Sequence, residues 1–145
     1  MDKYYSLPLD LKEFITNHRG IPACTEVESI NSHLGLLITT CPGEHKFDKD
    51  WGCNIWDFDF EKITSSLRWE IRCAEQVLDM AKKYEPRLKD ITVEVHVNEV
   101  NTNNATNDPP SVKKKVNLYF NATLVSTGKP YHFLFQLYLG PIVAY

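Results

Sequence analysis

At Pro86 the spacing of apolar residues changes from that of a helix to that of a strand, and no other feature of the chain restricts its fold as much. Before it, Ile63, Leu67, Ile71, Ala74, Leu78 and Ala81 recur at steps of three or four, which predicts a helix from about Glu61 to Tyr84 with one apolar face. A proline disfavours helical geometry at the residue before it, so that helix ends about Glu85. Beyond it, Ile91, Val93, Val95 and Val97 alternate with Thr92, Glu94, His96 and Asn98, the pattern of a strand buried on one face.

Two more strands follow. Val116, Leu118, Phe120, Ala122 and Leu124 form the inward set of the second, and Tyr131, Phe133, Phe135, Leu137 and Leu139 that of the third. Ser126-Thr127-Gly128-Lys129-Pro130 is the turn between them, and the Asn-rich stretch Asn101 to Ser111, ending Asp108-Pro109-Pro110, is the loop joining the first two. Short connections favour antiparallel neighbours. The expected fold is therefore α+β, with N-terminal helices on one face of a three-stranded antiparallel meander. Burying the inward residues of the third strand contributes at most roughly 1.5 to 3 kcal/mol each. Such a sheet has two edges with unpaired backbone groups, and the apolar tail Gly140-Pro141-Ile142-Val143-Ala144-Tyr145 either covers one or meets a partner.

Ahead of the long helix, the sequence predicts a short helix from Leu9 to about Asn17, ended by Arg19-Gly20-Ile21-Pro22. A second starts at Thr25, where Glu28 three residues later completes a capping box, and Val27, Ile30, Leu34 and Leu37 or Ile38 share its apolar face. Cys41-Pro42-Gly43 closes it. From Pro42 to Phe60 periodicity fails, and Trp51, Trp56, Phe58 and Phe60 are expected to plug the core from an ordered loop. At 145 residues the chain is one domain, 1–145: an N-terminal extension at 1–22, a core at 23–139 and a tail at 140–145.

Composition narrows the function. Sixteen basic against 19 acidic residues give a formal charge of −3, and no block of like charges suggests a nucleic-acid partner. No stretch has the length of a membrane span and no signal peptide is recognisable near Met1, so the expected setting is cytoplasmic, with no direct membrane insertion and with reduced thiols at Cys24, Cys41, Cys53 and Cys73. Cys41, His45 and Cys53 share one loop, yet their spacing lacks the paired ligands of structural zinc, so no metal and no cofactor are expected.

The same loop offers carboxyls for a glycosidase, Glu44, Asp48, Asp50, Asp57 and Asp59, although no spacing fixes an acid and base pair. Nucleophile elbows and phosphate-cradling glycine loops are missing, and His18, His33, His45, His96 and His132 are scattered along the chain. The reading is of a non-enzyme. Glu85-Pro86-Arg87 draws notice on other grounds: proline fixes the bend between helix and sheet, and Arg offers a planar fork of donors to a partner's carboxylates or carbonyls. The alternative is that Glu85 and Arg87 pair within their own chain and brace the corner.

Leu34-Gly35-Leu36-Leu37-Ile38-Thr39-Thr40-Cys41-Pro42-Gly43-Glu44, Asp50-Trp51-Gly52-Cys53-Asn54-Ile55-Trp56 and Tyr84-Glu85-Pro86-Arg87-Leu88, in this order and at these separations, resemble the TssE family of type VI secretion baseplate proteins and their phage-tail wedge homologues. The resemblance runs from about Ser29 to Val97 and more loosely through the last two strands. It implies a cytoplasmic structural subunit of a contractile injection apparatus, linking the wedge core, with its TssF- and TssG-like proteins, to the contractile sheath. It also implies that Glu85, Pro86 and Arg87 form the contact with that core. Some members carry a lysozyme label, the source of the alternative function, a peptidoglycan-hydrolysing glycosidase. Trp51 and His45 stand where the family more often has phenylalanine and arginine.

Overall fold

The computed structural model describes residues 3–17, 20–55, 66–102 and 111–139. In chain order these form strand β1 (Tyr4–Tyr5), helix α1 (Leu11–Asn17), strand β2 (Ala23–Cys24), helices α2 (Glu26–Thr39) and α3 (Ser66–Tyr84), and strands β3 (Leu88–Thr102), β4 (Ser111–Leu124) and β5 (Pro130–Leu139). The last three make an antiparallel sheet in the order β3-β4-β5, so the meander expected from the sequence is present. Its inward rows are in register: Val95 faces Leu118, which faces Phe135, and Val97, Val116 and Leu137 form the next row. A shift between Lys89 and Thr92, with Asp90 at φ 53°, bulges β3 just after the corner. β1 and β2 pair as a two-stranded antiparallel ribbon, too short to leave a periodic signal in the sequence.

α2 begins as its capping box requires. The Thr25 hydroxyl accepts the Glu28 N–H at 3.2 Å, and the Glu28 carboxylate accepts the Thr25 N–H at 2.8 Å. Ile30, Leu34, Leu37 and Ile38 are fully buried, whereas Val27, expected on the same face, is exposed. Val27 sits in the first turn of the helix.

The larger correction concerns α3. Its core contacts come from Trp69, Cys73, Val77 and Ala81, while Leu67, expected inside, is 62% exposed, and Ile71 is exposed as well. Helical spacing identifies residues that share a face. It does not say which of two neighbouring apolar stripes meets the sheet, and here the helix is rotated so that the Trp69 stripe does. Ala74 and Leu78 lie at the margin, partly buried against the core. Ile63 falls outside the described residues, as do Trp56, Phe58, Phe60, the Asn-rich connection at 103–110 and the tail at 140–145.

α2 and α3 cover the apolar face of the sheet, and the core is one cluster spanning both helices and all three strands. α1 begins two residues later than expected, and its Leu11, Phe14 and Ile15 are exposed. Of the loop aromatics, Trp51 packs on the core, joined by Cys53 and Ile55, which are fully or almost fully buried.

Candidate functional site

The corner between α3 and β3 is built around a carboxylate with no solvent exposure. The helix makes its last bond from the Glu85 N–H to the Ala81 carbonyl at 2.9 Å, and the Leu88 N–H reaches back to the Glu85 carbonyl at 3.3 Å around exposed Pro86. This tight turn points Glu85 into the protein, where its side chain is 0% exposed, and doubles Arg87 back onto it. Arg87 Nε donates to Glu85 Oε1 and Arg87 Nη2 to Oε2, both at 2.7 Å, a parallel two-pronged clamp.

The remaining valences are met from elsewhere in the chain. His33 Nδ1 on α2 lies 2.7 Å from Glu85 Oε2 and is the donor, because an ionised carboxylate only accepts. Arg87 Nη1 donates to the Ser29 hydroxyl at 2.9 Å, and the Tyr4 ring of β1 lies over the guanidinium at 5.4 Å. The Arg87 carbonyl accepts the Val125 N–H at 2.9 Å, which ties the corner to the turn between β4 and β5. Within this network Arg87 keeps 24% side-chain exposure, and Pro86 is the exposed apex. The intrachain pairing weighed for Glu85 and Arg87 is therefore what the fold contains.

Burial alone would raise the Glu85 pKa. The hydrogen bonds and charges of Arg87 and His33 outweigh it and hold the carboxyl down at about 2. The Arg87 pKa is raised in turn, chiefly by its bonds to Glu85. Between pH 4.5, where this carboxyl titrates in an unfolded chain, and about 2, the unfolded state binds a proton that the folded state does not, so stability rises with pH across that window. The group is expected to contribute roughly 3 kcal/mol above about pH 5 and to lose it as pH falls to about 2. Urea denaturation at a series of pH values measures this, and Glu85→Gln should flatten the profile.

The loop nominated for metal or hydrolysis is occupied with holding its own backbone. Glu44 accepts the Cys41 N–H at 2.9 Å, Asp48 accepts the Asp50 N–H at 3.0 Å, and His45 Nδ1 accepts the Asp48 N–H at 3.0 Å. Partial burial would raise the Asp48 pKa, but the Asp50 N–H, the Tyr84 hydroxyl, Lys83 and His45 hold it below the usual carboxylate range, the opposite of what a general acid needs. Asp57 and Asp59 lie outside the described residues. Cys53 and Cys73 are buried thiols pushed up to about 12 by burial, and no disulfide and no group of three or more metal-ligating side chains occurs among the described residues. Likewise no described helix is long and apolar enough to cross a membrane.

His33 and Ser29 are the corner residues that sequence reasoning passed over. Both lie on the face of α2 toward Glu85, four residues apart, and only the helix–helix contact reveals what they serve. What the arrangement does is hold the corner rigid, since the Glu85 carboxylate and the Arg87 guanidinium are both bonded within the chain.

The described residues thus form a helical layer on a three-stranded meander, with a clamped corner where α3 meets β3. The chain belongs to the family described as Baseplate wedge protein gp25, whose model matches residues 25–127. Proteins of this family serve as structural parts of contractile-tail baseplates, assembled with other baseplate components. Among solved structures, a Geobacter sulfurreducens protein that bears the provisional name tail lysozyme shares the fold, with a TM-score of 0.55 at 18% identity over 83% of this chain and 96% of that one. No curated protein matches the sequence.

Proposed function

We propose that this chain links the wedge core of a contractile injection apparatus, of the type VI secretion kind, to the first ring of its sheath, working in the cytoplasm. The observation that carries this reading is the clamp under Pro86. Glu85 is out of reach of any partner, so its role is to hold Arg87, while Pro86 and the exposed margin of Arg87 make the contact with TssF- and TssG-like wedge proteins. A preset corner loses little freedom on binding, which favours affinity.

The sheath side of the link is a sheet edge. β3 and β5 are the two edge strands, and they differ. On the β3 edge, α3 reaches over, and Glu70 accepts the Val97 N–H at 2.7 Å, which blocks an incoming strand there. β5 carries no comparable cap among the described residues, so it is the edge that receives a strand from the sheath, with main-chain hydrogen bonds providing the affinity. A lysozyme activity gains nothing from the Geobacter likeness, which at 18% identity concerns the fold.

Co-purification with the wedge proteins of its own baseplate tests the corner. Pro86→Asp leaves the Glu85 and Arg87 pair in place and sets a charge at the apex, and it is expected to abolish the complex while the chain stays folded. An undiminished complex would refute the corner as a contact.

A further inference from the structure

The loop from Cys41 to Trp51 is a rigid mount for one exposed aromatic. The Gly43 N–H bonds to the Lys49 carbonyl at 2.8 Å and closes the loop on itself, and Glu44, His45 and Asp48 each accept a backbone N–H within it. Its far end is pinned by the Cys53 N–H, bonded to the Thr40 carbonyl at 2.9 Å. From this mount Phe47 projects with 88% exposure, touched by the edge of the His45 ring and by the Lys46 ammonium, 5.5 Å from its centroid. Single exposed apolar residues are ordinary on protein surfaces. A large aromatic on a backbone already fixed is different, because it offers contact area at little entropic cost.

Phe47 is also continuous with the corner. The His45 ring lies 5.3 Å from that of Trp51, Trp51 stacks on His33 at 6.1 Å, and His33 bonds Glu85. Charge defines what would fit. Glu44 and Asp48 are turned onto the loop's own N–H groups and Lys49 Nζ onto the Gly43 carbonyl at 3.4 Å, so the charge set directly against the Phe47 ring is that of Lys46.

We infer that Phe47 is the aromatic anchor of the docking surface, entering an apolar pocket rimmed by carboxylates on a neighbouring wedge protein. The inference rests on the docking reading above and extends it by a second contact. Calorimetric titration of the full chain against the purified wedge proteins, at low and moderate salt, tests it. Phe47→Ala is expected to weaken binding by about 10-fold or more with an unchanged melting temperature, since the side chain supports nothing in the fold. Lys46→Glu is expected to weaken binding too, and to reduce its sensitivity to salt. If Phe47→Ala binds like the native chain while Pro86→Asp does not, the anchor is refuted and the corner stands. If the native chain fails to bind the wedge proteins, both readings fall together.

Discussion

Arg87→Ala is expected to lose about 3 to 5 kcal/mol of stability at neutral pH, the cost of leaving a buried charge without its partner. Glu85 is the group left behind. It has no solvent contact, and two of its short charged bonds, each 2.7 Å, come from the guanidinium. His33 and the backbone N–H of residue 87, 3.3 Å from Oε1, remain to face it. The pH dependence should also weaken. In the native chain Arg87 and His33 hold the carboxyl at about 2, and stability rises with pH through the acid range. Without the guanidinium the folded-state pKa rises from about 2, because Arg87 supplies the largest of the effects that lower it, so the window in which the folded state binds fewer protons than the unfolded one shrinks and stability rises less with pH. Denaturant unfolding of both chains at pH 3, 5 and 7 is the measurement, with the gap between them expected to narrow toward acid. A uniform gap at every pH would mean that Glu85 is not the group left unpaired. Because this substitution attacks the fold, it is a poor probe of partner contact, and Pro86→Asp is the better one.

Gly52→Ala is the second large effect. Gly52 has φ 125°, a region that a residue with a Cβ rarely adopts, and an added Cβ would fall against the Thr40 carbonyl, with the Cys41 carbonyl carbon at 3.1 Å. The obstruction is backbone, which cannot swing aside as a side chain can. Moving it would break the bond from the Cys53 N–H to the Thr40 carbonyl and displace Cys53 and Ile55 from the core. Backbone strain and overpacking each cost about 1 to 3 kcal/mol, so a loss of about 2 to 6 kcal/mol is expected in denaturant unfolding. Gly43, also at positive φ but with nothing within 4 Å of its added Cβ, should show strain alone and a smaller loss.

The sheet was legible in the sequence because period two is unambiguous over long alternating runs, and the structure keeps the inward sets of all three strands wherever their side chains are described. The start of α2 was legible for a local reason, since Thr25 and Glu28 satisfy each other without help from the rest of the fold. The face of α3 was not. Leu67 and Ile71 form as good a helical series as Trp69, Cys73 and Val77, and the choice between them is made by the sheet, which lies far along the chain. The corner was half legible: Glu85-Pro86-Arg87 stood out, but the burial of Glu85 and the roles of His33 and Ser29 depend on how α2 crosses the end of α3. Phe47 carried no periodic signal, and its exposure follows from a loop closed by backbone bonds that the sequence does not spell out.

The proposed corner, anchor and sheet-edge contacts make the chain a part gripped from two sides. In the proposed role the wedge core meets Pro86 and Phe47, and the sheath meets β5. The edges of the sheet give the most direct access to this claim, because Glu70 caps β3 and no comparable cap lies on β5 among the described residues. Hydrogen exchange on the chain alone and on the chain assembled with its sheath subunits should show new protection at alternate amides along Pro130–Leu139 and little change along Leu88–Thr102. Protection that appears on β3 instead, or on neither strand, would contradict the account.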